Sequence, residues 1–115
     1  MTTGTRQAVP EALPEPSGPG TVVLDIGGHM GALVLYTPPE LEGEEIEIRP
    51  AGMAWDGTHV AVRERRLPGG PCWAAVFGPL RQGTYDTRTK GEPGSPVTRA
   101  EVTGGAVATA HWKPA

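Results

Sequence analysis

Three histidines, His29, His59 and His111, are the side chains in this 115-residue chain best suited to chemistry. Neutral imidazole is a favoured metal ligand, and a bound ion needs several convergent donors. Asp25, Asp56 and Cys72 would extend the set. The spacing follows none of the Cys-x-x-Cys, His-Glu-x-x-His or His-x-His patterns, so convergence depends on the fold. A small protein binding a divalent metal through His29, His59 and His111 is one function the sequence allows.

Nucleophilic chemistry has less to draw on. Serine occurs at Ser17, among prolines, and at Ser95, before Pro96. Neither lies in a Gly-x-Ser-x-Gly elbow. Cys72 follows Pro71 at the start of an apolar run and reads as a small buried hydrophobe. Glu45 and Glu47 share one face of a strand, yet no neighbour equips either for acid–base work. The glycine-rich stretch Gly27-Gly28-His29-Met30-Gly31 joins strand to strand, so no helix N-terminus follows to receive a phosphate. These residues predict no catalytic constellation. They point instead to a binding or accessory module that contacts a partner through the loops holding His29, Trp55, Asp56 and His59, and through Arg63 and Arg65 in the basic run ending at Arg66.

The elements that must position these residues are strands. Gly 17 and Pro 13 are high, aromatic residues are 5%, and no window keeps helical periodicity. The expected strands are Thr21–Gly27, Ala32–Tyr36, Glu44–Arg49, Thr58–Arg65, Cys72–Phe77, Tyr85–Arg88, Val97–Thr103 and Val107–Trp112. Ala32–Tyr36 is apolar on both faces and reads as central. Glu44–Arg49 alternates Ile46 and Ile48 with charges and reads as an edge. Trp55 is expected to fold back from its loop onto the core. The last two strands are expected to form a hairpin through Gly104-Gly105. Met1 to Gly20, with Pro10, Pro14, Pro16 and Pro19, has too little apolar surface to fold and reads as a disordered tail before a single domain over 21–113. The architecture expected is an all-β Greek-key sandwich of immunoglobulin or prealbumin type.

The net charge is −3, which argues against general nucleic-acid binding. The charge is unevenly spread, with two basic and nine acidic residues in 1–57 against eight basic and four acidic in 58–115. Either two oppositely charged faces or head-to-tail pairing of copies would follow, so a homo-oligomer joins a protein partner or small ligand among the expected interactions. One cysteine leaves no internal disulfide, and no apolar run follows Met1. A cytoplasmic protein without a membrane span is therefore expected.

The run Leu80-Arg81-Gln82-Gly83-Thr84-Tyr85 resembles the L-x-x-G-x-Y signature of carboxypeptidase-regulatory-like and prealbumin-like domains. Phe77 ends the strand before it, and Val102-Thr103-Gly104-Gly105-Ala106-Val107 is similar to their late hairpin. The resemblance implies a tyrosine corner, with the Tyr85 hydroxyl bonded to nearby backbone. A wider resemblance, over most of Gly20 to Trp112, is to a group of small uncharacterised actinobacterial proteins. It rests on Val23-Leu24-Asp25-Ile26-Gly27-Gly28, Thr37-Pro38-Pro39-Glu40-Leu41, Glu45-Ile46-Glu47-Ile48, Thr58-His59-Val60-Ala61-Val62 and Gly83-Thr84-Tyr85. Some members carry a phospholipase label, which implies a lipid-active hydrolase as a further alternative. A small helical phospholipase would show a His-Asp pair, whereas here the histidines are followed by Met30, Val60 and Trp112.

Overall fold

Apolar residues at alternate positions make strands because successive side chains leave a pleated backbone on opposite faces. The structure, a computed structural model, describes residues 15–16 and 26–113. Nine strands follow in order: β1 (Glu15–Pro16), β2 (Met30–Thr37), β3 (Glu45–Pro50), β4 (His59–Ala61), β5 (Arg63–Leu67), β6 (Gly70–Arg81), β7 (Gly83–Thr89), β8 (Thr98–Val102) and β9 (Val107–His111). They form a five-stranded sheet, β1-β5-β6-β2-β9, and a four-stranded sheet, β4-β3-β7-β8. The protein is an all-β sandwich. No helix among the described residues is long and apolar enough to cross a membrane.

The core lies between the sheets. Leu33 and Leu35 of β2 and Ala75 and Phe77 of β6 meet Ile46 and Ile48 of β3, Tyr85 of β7 and Val102 of β8. Trp112 and Leu41 pack against its margin. β2 is central, as its two apolar faces imply, with β6 antiparallel on one side and β9 parallel on the other.

Three expectations need correction. The run Thr58–Arg65 is two strands in two sheets. Val62 is fully buried, its N–H donates to the Glu44 carbonyl, and its own carbonyl accepts from Gly43. This anchor turns the chain, so β4 stays beside β3 while β5 joins β6. β3 is not an edge, because β4 and β7 flank it. β8 and β9 do not form a hairpin, since β8 pairs with β7 and β9 crosses to the other sheet. Of the tail expected over Met1 to Gly20, Glu15–Pro16 pairs with β5, and the rest falls outside the described residues. The expected first strand, Thr21–Gly27, falls outside the described residues apart from Ile26 and Gly27.

The β8-to-β9 crossing depends on a close backbone approach. A Cβ on Gly31 would lie 2.3 Å from the Thr103 carbonyl oxygen, and one on Gly104 would lie 2.1 Å from that of Gly28. Only glycine lets the two turns touch. At the other connection, between β6 and β7, the buried Tyr85 donates its hydroxyl to the Arg81 carbonyl. This bond ties the two ends of the Gln82-Gly83 turn, as a tyrosine corner does.

Two outcomes test this account in thermal and denaturant unfolding. Tyr85→Phe should lower stability by about 1 kcal/mol, the net worth of one such hydrogen bond. Gly31→Ala should cost about 1–3 kcal/mol through overpacking, while Gly94→Ala, whose Cβ meets nothing within 4 Å, should be nearly neutral.

Candidate functional site

On β3, placing Ile46 and Ile48 in the core forces Glu45, Glu47 and Arg49 onto the outward face. On β7, burying Tyr85 and Thr87 does the same for Asp86 and Arg88. The register then sets Glu47 opposite Arg88 and Arg49 opposite Asp86, with Arg99 of β8 opposite Asp86 on its other side. Opposite charges directly across a strand pair stabilise it.

These pairs are close. Arg49 Nε donates to Asp86 Oδ2 at 3.1 Å, and Arg99 Nε donates to Asp86 Oδ1 at 2.8 Å. Arg88 Nε donates to Glu47 Oε2. Both carboxylates are nearly inaccessible, with side-chain exposures of 1% for Asp86 and 5% for Glu47. A charge taken out of water needs such partners. The hydrogen bond from Arg99, with Arg49 beside it, outweighs burial and holds the Asp86 carboxyl below its ordinary range.

The β3–β4 loop closes over these arginines. Arg49 Nη1 donates to the Met53 carbonyl at 2.8 Å. Trp55 lies under two guanidinium groups, with Arg49 Cζ 4.3 Å and Arg88 Cζ 4.2 Å from its ring centroid. Contacts of this kind are each worth about 0.5–2 kcal/mol, depending on desolvation. Trp55 does not fold back onto the core, as expected from sequence; it packs on the outside of the sheet. Met53 beside it is 60% exposed. Asp56 accepts from the Thr58 N–H at 3.0 Å, a bond that lowers its pKa and fixes the loop's return. His59 Nδ1 lies 2.7 Å from the Gly57 carbonyl oxygen, and its Nε2 lies 3.7 Å from Glu45 Oε2.

Trp55 and Asp56 therefore lie in the β3–β4 loop and His59 opens β4 just after it, but the three histidines do not converge. His29 precedes β2, while His111 pairs with Tyr36 near the far end of that strand. At about 3.3 Å per residue they stand roughly 20 Å apart. His59 belongs to the other sheet. Among the described residues no group of three or more His, Cys, Asp or Glu side chains could hold a metal ion. Asp25 is outside the described residues. His111 stacks on Tyr36, with centroids 5.4 Å apart.

Arg63 is exposed on β5, whereas Arg65, expected at the contact surface, is buried at 4% exposure. Its Nη2 donates to the Ala74 carbonyl at 3.5 Å, and its Nε has no partner among the described residues. Cys72 pairs across from it, and burial pushes the thiol up more than Arg65 draws it down. Such a thiol is poorly nucleophilic. The Ser95 hydroxyl accepts from the Thr89 N–H and donates to the Pro96 carbonyl, which commits it to the β7–β8 loop. That loop also forms one side of an open groove of about 650 Å³ with Leu41 and Trp112. Sequence reasoning missed Glu47, Arg49, Met53, Asp86, Arg88 and Arg99. Their signal was the opposed charge order along Glu47-x-Arg49 and Asp86-x-Arg88, legible once the register is known.

Comparison of the chain with protein-family models, with curated proteins and with solved structures finds no match.

Replacing the buried carboxylate tests the electrostatics. Asp86→Asn should lower stability by about 2 kcal/mol at neutral pH, the scale of hydrogen bonds to a charged group. Because the folded-state pKa is depressed, the carboxylate's contribution is complete above the ordinary value and is lost as pH falls through the folded one. Melts of both proteins from pH 7 down to about 2 should show the gap between them closing below the ordinary carboxyl pKa of about 3.9.

Proposed function

We propose that this protein is a non-catalytic binding module, a cytoplasmic sandwich of immunoglobulin or prealbumin type. In this reading it holds a protein partner on the outward face of its four-stranded sheet. The observation that carries the reading is the Met53–Trp55 loop, with Met53 open to solvent and Trp55 clamped over Arg49 and Arg88. Trp, Met and Arg are the side chains enriched at protein interfaces, and Trp and Arg dominate their binding energy. The arginines beneath the loop are fixed by buried Asp86 and Glu47, so a partner would meet a surface already ordered. Less conformational entropy is then lost on association. One free cysteine fits a reducing compartment.

The reading favours a binder over a lipid-active hydrolase because the candidate nucleophiles serve structure. The Ser95 hydroxyl bridges backbone groups and the Cys72 thiol is pushed up by burial. A metal-binding reading would need His29, His59 and His111 near one another, and the strand order separates them.

Affinity capture from an extract of the native cells tests the proposal. A partner retained by the wild type should be reduced at least tenfold by Met53→Asp, and retained by Val97→Asp, which alters an exposed apolar residue on the β7–β8 side. Equal retention by Met53→Asp overturns the assignment of this surface. Phospholipid hydrolysis by the wild type, abolished by Ser95→Ala, overturns the non-catalytic reading.

A further inference from the structure

Of the four sheet edges, β9 is the least protected against pairing with another strand. β8 carries Arg99 and Glu101, β4 has three residues, and β1 has two, one of them proline. Charge, shortness and proline each discourage strand addition. β9, Val-Ala-Thr-Ala-His, has five residues and neither a formal Asp, Glu, Lys or Arg charge nor a proline. Among the described residues it is the last strand of its sheet.

The hydrogen bonds at its two ends show which backbone groups face outward. Ala32 N–H donates to the Ala106 carbonyl, and Trp112 N–H donates to the Tyr36 carbonyl. In a parallel ladder, alternate residues of a strand turn both backbone groups toward the same neighbour. Ala106, Ala108, Ala110 and Trp112 therefore face β2. Val107, Thr109 and His111 turn their N–H and C=O groups to the open edge, where no described residue bonds them.

We infer that β9 is a homodimer interface, which pairs antiparallel with β9 of a second copy about a two-fold axis at Thr109. The outward residues are symmetric about Thr109, so one axis uses all of them. Thr109 pairs with Thr109 of the second copy, and Val107 with His111 in both directions. Each is a hydrogen-bonded pair, exchanging both N–H···O bonds. A self-complementary patch is what a two-fold contact requires. The side chains agree, because Thr–Thr is a favourable cross-strand pair and Val–His opposes no like charges. The result is one continuous sheet through both copies, independent of the Met53–Trp55 surface.

Sedimentation of the full chain at micromolar concentrations should give twice the 12.0 kDa mass of one chain. Thr109→Pro removes only an outward N–H, and Thr109→Lys sets two ammonium groups together at the axis. Both should sediment as monomers while keeping the wild-type circular dichroism. Paired residues of this type stand about 5.5 Å apart at Cα, within disulfide reach. Thr109→Cys should therefore oxidise to a covalent dimer, whereas His111→Cys should not, with Cys72 common to both as an internal control. A wild type that stays monomeric overturns the inference, including one whose edge takes a strand from another protein. A dimer that survives Thr109→Pro and Thr109→Lys, without cross-linking at position 109, overturns it as well.

Discussion

The outward half of this molecule depends on a carboxylate buried on the outside of a sheet. Asp86 is almost closed to solvent, yet it lies on the face away from the core. Its desolvation is offset by two guanidinium groups, one from each neighbouring strand. Arg49, held by Asp86, is fixed as a support for the Met53 carbonyl and the Trp55 ring. Arg88, held by Glu47, supplies the second cation over that ring. The loop packs on the same guanidinium groups that the carboxylates hold, so loop and charges are coupled through Arg49 and Arg88. A face that alternation alone would leave solvated becomes a second, polar layer of packing.

The charge asymmetry along the chain takes its meaning from this layer. An acidic first half and a basic second half suggested separate charged faces or head-to-tail association. The antiparallel β3–β7 pair sets Glu47 against Arg88 and Arg49 against Asp86, and Glu45 lies 3.9 Å from Lys90. Charges far apart in sequence are thus neutralised within one sheet face.

Glycine and tyrosine hold the ends of the sandwich. Gly31 and Gly104 let two turns touch backbone to backbone, and that contact carries the chain from β8 in one sheet to β9 in the other. Val62 performs the opposite crossing through a buried side chain and two backbone bonds to the segment before β3. Because β9 arrives by a crossing, it lies parallel to β2 and leaves one backbone edge unpaired among the described residues.

The sequence by itself determined the all-β class, the central place of Ala32–Tyr36, the inward positions of Ile46 and Ile48, and the tyrosine corner at Tyr85. These are local properties: a period of two, a glycine at a reversal, and a hydroxyl four residues from its acceptor. The tertiary structure alone decided which strands are neighbours, because strand order depends on long-range closure that a short pattern does not encode. Thr58–Arg65 reads as one strand until the Gly43 and Glu44 backbone captures Val62, and Glu44–Arg49 reads as an edge until β4 covers it. The candidate site was half legible for the same reason. Trp55 and His59 stand out by residue type, whereas the pairing of Asp86 with Arg49 and Arg99 exists only once three strands are in register. The separation of His29, His59 and His111 was decided by the same strand order.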